Sequence, residues 1–191
     1  MVNYPSGHKP LPSNNQKRSL GSRGMDFEKD INDSCTYYKE INRALIYKKP
    51  TPIQVVKVDY PNRQHAKITE AYYKIPSTTD YNGIYKGKYV DFEAKETRNK
   101  TLFTMQNVHA HQIEHLEKVQ AMGGIAFLLI RFAAYEETYL LDASYVVNAH
   151  KEGKKSLTYT FIKTHGHLIE NGYLPRLKFL DVVDSIYFKE E

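Results

Sequence analysis

Between Tyr89 and Lys95 apolar and polar residues alternate, with Val90, Phe92 and Ala94 on one side and Asp91, Glu93 and Lys95 on the other. That period of two predicts a half-buried β-strand with a charged face. Elsewhere the period lengthens. Phe27, Ile31, Tyr38, Ile41 and Leu45 recur at helical spacings and predict a helix from Gly24 to about Tyr47. A second helix is expected over Met105–Met122, ending at Gly123-Gly124, with His109, Gln112, Leu116 and Val119 on one face. Asp142-Ala143-Ser144 opens a third, to about His150, with an acidic N-cap. Arg176–Phe188 carries the amphipathic pattern of a closing helix. The continuous apolar run from Gly124 to Phe132 suits the centre of a sheet, with Glu137–Leu141 as its neighbour and Ser156–Ile162 as a further strand.

Residues 48–76 break this pattern. Pro50-Thr51-Pro52 stops the first helix, Ile53–Tyr60 has the β-branched content of a strand, Pro61-Asn62 marks a turn, and Lys67–Tyr73 reads as a returning strand or short helix. The expected product is a protruding arm in which Tyr60, Tyr72 and Tyr73 interleave with Lys57, Arg63 and Lys67, a mixture suited to stacking on bases while holding phosphates. An ordinary hairpin packed on the body would have the same sequence. Residues 1–22 are proline-rich and poor in apolar side chains, and read as a disordered basic tail, with the rest of the chain, 23–191, a single domain that carries the arm as an insertion at about 50–76.

Charge sharpens the picture. The first 23 residues hold Lys9, Lys17, Arg18 and Arg23 and no acid, and residues 48–74 hold six basic residues against Asp59 and Glu70, while the remainder is net acidic. The tail and the arm are therefore two expected places of phosphate contact, the tail through Lys17, Arg18 and Arg23 and the arm through Lys57, Arg63, Lys67 and Tyr72. Cys35 is the only cysteine, which excludes an internal disulfide and a cysteine-built zinc site. No apolar run is long enough for a bilayer, so the expectation is a cytoplasmic protein without a membrane partner.

The candidate chemistry sits on the alternating strand. Asn82-Gly83 and Lys86-Gly87 are turn signals that would fold Asp80 back beside Glu93 and Lys95. Two hard carboxylates suit Mg2+, which keeps several waters and borrows phosphate oxygens from its substrate. Lys95, about 6.6 Å along the strand from Glu93 at the usual rise, can hold a phosphate or an attacking water at the same place. Asp91 points with Glu93 and is either a spare ligand or a surface acid. Thr79 can assist through its hydroxyl or its backbone. His111 and His115 lie four apart, as in a helical zinc site, but Gln112 stands where a zinc protease carries its Glu. An acid followed by Glu-x-Lys resembles the motif of restriction-endonuclease-like nucleases, although as a bare pattern it also describes a solvated charge pair.

A longer match accompanies it. The run from Ser77 to Thr97, with Tyr60-Pro61, Ile68-Thr69-Glu70-Ala71-Tyr72 and His111-Gln112-Ile113-Glu114-His115, resembles the RecU family of Holliday junction resolvases over roughly Gly21 to Tyr187. The resemblance implies an α/β fold with a restriction-endonuclease-like mixed central sheet flanked by helices and a protruding stalk at the arm, thought to enter the junction centre. It implies a homodimer that uses Mg2+, with Mn2+ as the substitute ion, to nick four-way DNA junctions symmetrically in recombination and repair. Asp80 and Glu93 would bind metal, Thr79 and the early-helix acid Glu28 more weakly, with Lys95 and Gln112 completing the catalytic set. RecA and the branch-migration helicase are the protein partners it suggests. Two other readings share these residues: a sequence-directed duplex nuclease of the same fold, and a junction-binding recombination factor without catalysis.

Overall fold

The computed structural model describes residues 22–74 and 78–188. The first helix, α1 (Ser22–Glu40), turns Phe27, Ile31, Cys35 and Tyr38 into the core, four residues at spacings of four and three. It stops well short of the expected Tyr47. Asn42 adopts a left-handed conformation (φ 55°), and the amides of Arg43 and Ala44 fold back onto the Tyr38 carbonyl. Asn tolerates that geometry better than most residues, so the turn ends the helix. Leu45–Lys48 then forms the strand β1 rather than a last helical turn, and Ile41 and Leu45 are exposed instead of buried.

The arm is a two-stranded antiparallel ribbon, β2 (Ile53–Asp59) and β3 (Lys67–Tyr73), with an irregular register around Val55–Val58. The pairing of β3 with β2 settles the choice between strand and helix for Lys67–Tyr73, and the exposure of every residue of both strands excludes a hairpin packed on the body. Its base is closed by a hydrogen bond from the Lys74 amide to the Pro52 carbonyl.

β4 (Tyr81–Tyr85) and β5 (Lys88–Thr97) follow as a hairpin whose turn, Lys86-Gly87, has positive φ at both residues, the twist-matched geometry of a two-residue hairpin loop. The other expected turn, Asn82-Gly83, lies inside β4. Its glycine serves a close approach instead: a Cβ on Gly83 would come within 1.9 Å of the Leu45 carbonyl oxygen on the neighbouring β1.

The chain continues through β6 (Leu102–Thr104), a single 3-10 turn at Met105–Asn107, and α2 (Ala110–Ala121), so the expected helix from Met105 begins five residues late. β7 (Ile125–Phe132), β8 (Glu137–Asp142) and α3 (Ala143–Lys151) follow, the last capped by the Asp142 carboxylate on the Ser144 amide as the sequence predicts. The stretch expected as one strand from Ser156 divides into β9 (Ser156–Thr158) and α4 (Tyr159–His165), because the Thr158 hydroxyl caps the Phe161 amide and starts a helix. β10 (His167–Leu168) and α5 (Phe179–Tyr187) end the described chain, α5 starting three residues later than Arg176.

One mixed sheet, in the order β1-β4-β5-β7-β8-β10, organises these elements. Only β5 and β7 run parallel, joined by the α2 crossover, and the other pairs are antiparallel. α1 and α5 cover one face, packing on Val90, Phe92, Phe127 and Leu129, while α2, α3 and α4 cover the other over Ala126, Leu128, Ile130 and Leu141. The expected α/β fold, a mixed central sheet flanked by helices with one protruding arm, is what the chain adopts. Three rings, Tyr81, Phe92 and Phe127, stack across β4, β5 and β7 at 4.8 Å centroid spacings and pin the register of the central strands.

Replacing Gly83 with Ala is expected to lower stability by about 1–3 kcal/mol, the usual cost of forcing an extra methyl into a packed contact. Urea unfolding measures this, and an unchanged midpoint would contradict the close β1–β4 approach.

Candidate active site

The stacked rings mark the last residue pair that β4 and β5 share. Pairing ends at Tyr81↔Phe92, yet β5 runs on to Thr97 beside β7. From Glu93 onward, β5 therefore has one edge without β4, and Asp80 is the first residue to leave the ladder. Its backbone amide donates to a side chain instead, Glu93 Oε2 at 3.1 Å. The opposite edge of Asp80 remains tied, its carbonyl accepting from the Lys49 amide at 2.7 Å. Asp80 and Glu93 are thus brought together where the two strands part, as the sequence predicts.

Glu93 is fully buried, and Lys95 Nζ lies 2.6 Å from its Oε1. The Lys95 ammonium is the one described polar partner of Oε1, in a geometry too oblique for a well-formed hydrogen bond. Burial pushes the Glu93 carboxyl up to about 7, with the Lys95 charge opposing and the nearby Asp80 charge adding to the rise. A cleft of about 250 Å³ opens beside these groups, lined among others by Asp80, Lys95, Glu96 and, from α1, Glu28. Glu28 reaches the cleft as expected, held by Lys48 at 2.5 Å.

The expected charged face of β5 is not a surface. Asp91 is as buried as Glu93, so neither the half-buried strand nor the surface acid is found. The Asp91 carboxylate accepts from Lys49 at 2.9 Å, from Tyr89 at 2.7 Å and from the Thr79 hydroxyl, and meets His115 Nε2 at 3.0 Å. Covered by α2 and by the segments flanking the arm, this face buries charge because each charge has partners. Alternation alone cannot distinguish it from a solvated face. The Thr79 hydroxyl also accepts from Lys49, which leaves the backbone carbonyl as the freer of its two routes to a metal.

Gln112 sits in the first turn of α2, 4 % exposed, and its Oε1 accepts from the His109 amide at 3.0 Å. It caps its own helix, and no described contact joins it to Asp80, Glu93 or Lys95. Arg63, Lys67, Lys57 and Tyr72 are all exposed on the arm. Lys17, Arg18 and Ser77 lie outside the described residues, and Arg23 lies in the first turn of α1 with its side chain likewise outside them. Lys49 and His115, which sequence reasoning gave no role at this site, join it through Asp91, and Lys49 also through the Asp80 carbonyl. The adjacency of Lys49 to the arm's first proline is the one signal that pointed there.

Among the described residues no group of three or more His, Cys, Asp and Glu side chains converges as a metal cage. His115 is engaged with Asp91 at 3.0 Å. Two carboxylates, one of them with a buried oxygen whose one described partner is an off-axis ammonium, fit a hard cation that keeps most of its waters. No described helix is long and apolar enough to cross a membrane.

The family described as Recombination protein U matches residues 22–185. The chain is similar to a protein named Holliday junction resolvase RecU from Geobacillus kaustophilus, 50% identical over 196 residues and 98% of each chain. It is also similar to one of the same name from Bacillus cytotoxicus, 49% identical over 197 residues, again 98% of each. Among solved structures it is similar to Hjc of Archaeoglobus fulgidus, a Holliday junction resolvase, at 11% identity and a TM-score of 0.47, over 76% of this chain and 95% of that one.

The raised Glu93 carboxyl makes a pH prediction. Its folded value near 7 lies above the ordinary 4.5, so the folded state keeps a proton that the unfolded chain has released, and stability falls as pH rises through 7. In chelator, wild-type unfolding free energy should drop by about 1.4 kcal/mol more than that of Glu93→Gln between pH 6 and 8. Parallel profiles for the two proteins would contradict a buried, proton-holding Glu93.

Proposed function

The chain belongs to the RecU family, and from that premise we propose that it is a divalent-metal-dependent endonuclease that resolves four-way DNA junctions by symmetric nicking in recombination and repair. One observation carries the catalytic reading: a fully buried Glu93 carboxyl, held by the Asp80 amide and paired with Lys95 where β4 and β5 part, next to a cleft that Asp80 and Lys95 line. The names of its relatives supply the substrate class.

In this reading Asp80 and Glu93 hold Mg2+, or Mn2+ in its place. When bound, the ion supplies a Lewis acid and lowers the pKa of a coordinated water. The protein's own contribution is geometric and electrostatic. Asp80 is fixed by its amide on Glu93 and its carbonyl on Lys49, so the two carboxylates face one another before any ion arrives. Lys95 trades its oblique contact with Glu93 for the phosphate, where its charge offsets the negative charge that develops as water attacks phosphorus. Thr79 and, from the cleft lining, Glu28 would be the weaker ligands of such an ion, and Gln112, whose side chain caps α2, would complete the catalytic set.

DNA is held away from the chemistry as well as at it. The arm exposes Tyr60 and Tyr72 among basic residues, with Lys57, Arg63 and Lys67 for phosphates and the rings for unstacked bases at a branch point. The tail, through Lys17, Arg18 and Arg23, adds phosphate contacts. Nicking two strands symmetrically calls for two sites related by a two-fold axis, hence a homodimer. Contacts with RecA and the branch-migration helicase, and action in the cytoplasm, belong to the same reading.

The test is to incubate the protein with Mg2+ and two labelled DNAs, a four-way junction and a linear duplex of the same sequence. Paired nicks near the branch and an intact duplex are expected, with the rate falling about 10²–10³-fold in Lys95→Ala. In the same assay Arg63→Ala with Lys67→Ala should weaken junction binding more than duplex binding. Cutting of both DNAs would indicate a sequence-directed or general nuclease, and tight junction binding without cutting a recombination factor.

A further inference from the structure

Asp91 takes no part in the chemistry just described, yet it is fully buried and gathers more polar partners than Glu93. Its Oδ2 meets Lys49 Nζ at 2.9 Å, the Tyr89 hydroxyl at 2.7 Å and His115 Nε2 at 3.0 Å, while Oδ1 accepts from the Thr79 hydroxyl. Lys49 is the second half of the arrangement. Its ammonium also donates to Thr79 Oγ1 at 3.0 Å, and its backbone amide donates to the Asp80 carbonyl at 2.7 Å. One residue therefore grips the chain on both sides of the Thr79–Asp80 peptide, by side chain and by main chain.

The strand supplies the frame. Asp91 and Glu93 stand two positions apart on the same face of β5, whose register is fixed by the stacked rings of Tyr81, Phe92 and Phe127. Lys49 and Thr79 fasten to the first carboxylate, and the Asp80 amide to the second at 3.1 Å. The distance between Asp80 and Glu93 is thus set by two anchor points on one rigid strand. Without the Lys49–Asp91 anchor, the segment keeps the Asp80 amide on Glu93, the Lys49 amide on the Asp80 carbonyl and the paired end of β4, but loses the side-chain tether that fixes Thr79 and Asp80 against β5.

We propose that Lys49 and Asp91 are positioning residues that hold Asp80 opposite Glu93 in the spacing a divalent cation requires, an inference that rests on the metal-dependent reading of this site. Groups that orient metal ligands in this way change metal affinity or activity 10–100-fold when altered. Because Lys49 and Asp91 act as one anchor, their losses should not add.

The test uses the full chain with Lys49→Met, Asp91→Asn and the double variant, each checked by thermal unfolding. Mn2+ affinity is measured calorimetrically without DNA, and junction affinity separately in chelator. Each single variant should bind Mn2+ about 10–100-fold more weakly, with little further loss in the double. Junction affinity in chelator should stay at the wild-type value, and nicking by Lys49→Met should recover as Mg2+ is raised. Should Asp91→Asn fail to fold, Lys49→Met decides alone. Wild-type Mn2+ affinity in Lys49→Met overturns the proposal, as does a loss of junction affinity equal to the loss of metal affinity, which would make Lys49 a phosphate contact. If the wild-type protein itself binds no more Mn2+ than Glu93→Gln, the metal-dependent reading fails first and carries this one with it.

Discussion

A carboxylate buried at the point where two paired strands separate is the constraint on which the site depends. Ionised and alone, Glu93 would be expensive to bury. It is tolerated because the fork gives it a backbone amide from Asp80, an ammonium from Lys95 and a cleft open to solvent on one side. The stacked rings immediately before the fork keep β4, β5 and β7 in one register, so that the last paired residue is followed at once by Glu93. Core packing and the proposed site meet within two residues of chain: Phe92 packs the core and Glu93 stands at the fork.

The arm is a different kind of structure. With every residue of β2 and β3 exposed, it has no core of its own, and isolated two-stranded ribbons are marginal in water. Its order is anchored at the base, by the Lys74 amide on Pro52 and by Lys49 against Asp80 and Asp91. An element that buries nothing on the body is free to bury something on a partner, and its exposed tyrosines interleaved with basic residues are what the proposed junction contact rests on.

Much of this was legible in the sequence, and the failures have physical causes. The strand carrying Glu93, the apolar central strand β7, the arm's two strands and the Asp142 cap follow from period, propensity and turn chemistry. The placement of Asp80 beside Glu93 was also anticipated, although the turn that brings it there is Lys86-Gly87 alone. Gly83 was misread because a glycine demanded by a neighbouring strand looks the same in sequence as one demanded by a turn. The first helix was drawn too long because Ile41 and Leu45 extend its apolar spacing by chance, and the left-handed Asn42 that ends it is a local event. Asp91 was placed at the surface because alternation reports which residues share a face, not whether that face is covered. Its partners Lys49, Thr79 and His115 lie 42, 12 and 24 positions away, beyond the reach of any local pattern. Gln112 shows the reverse: its cap on His109 is visible in its position three residues later, a local contact that leaves a role at the site to be tested by experiment.

The central claim is that a divalent cation seats between Asp80 and Glu93. The most direct measurement is an anomalous diffraction map from crystals soaked in Mn2+. The account predicts a peak at about 2.1–2.2 Å, the usual bonding distance for a small hard cation, from Glu93 Oε1 and from the Asp80 carboxylate. A peak at His111 and His115, or none in the cleft at millimolar Mn2+, would contradict it.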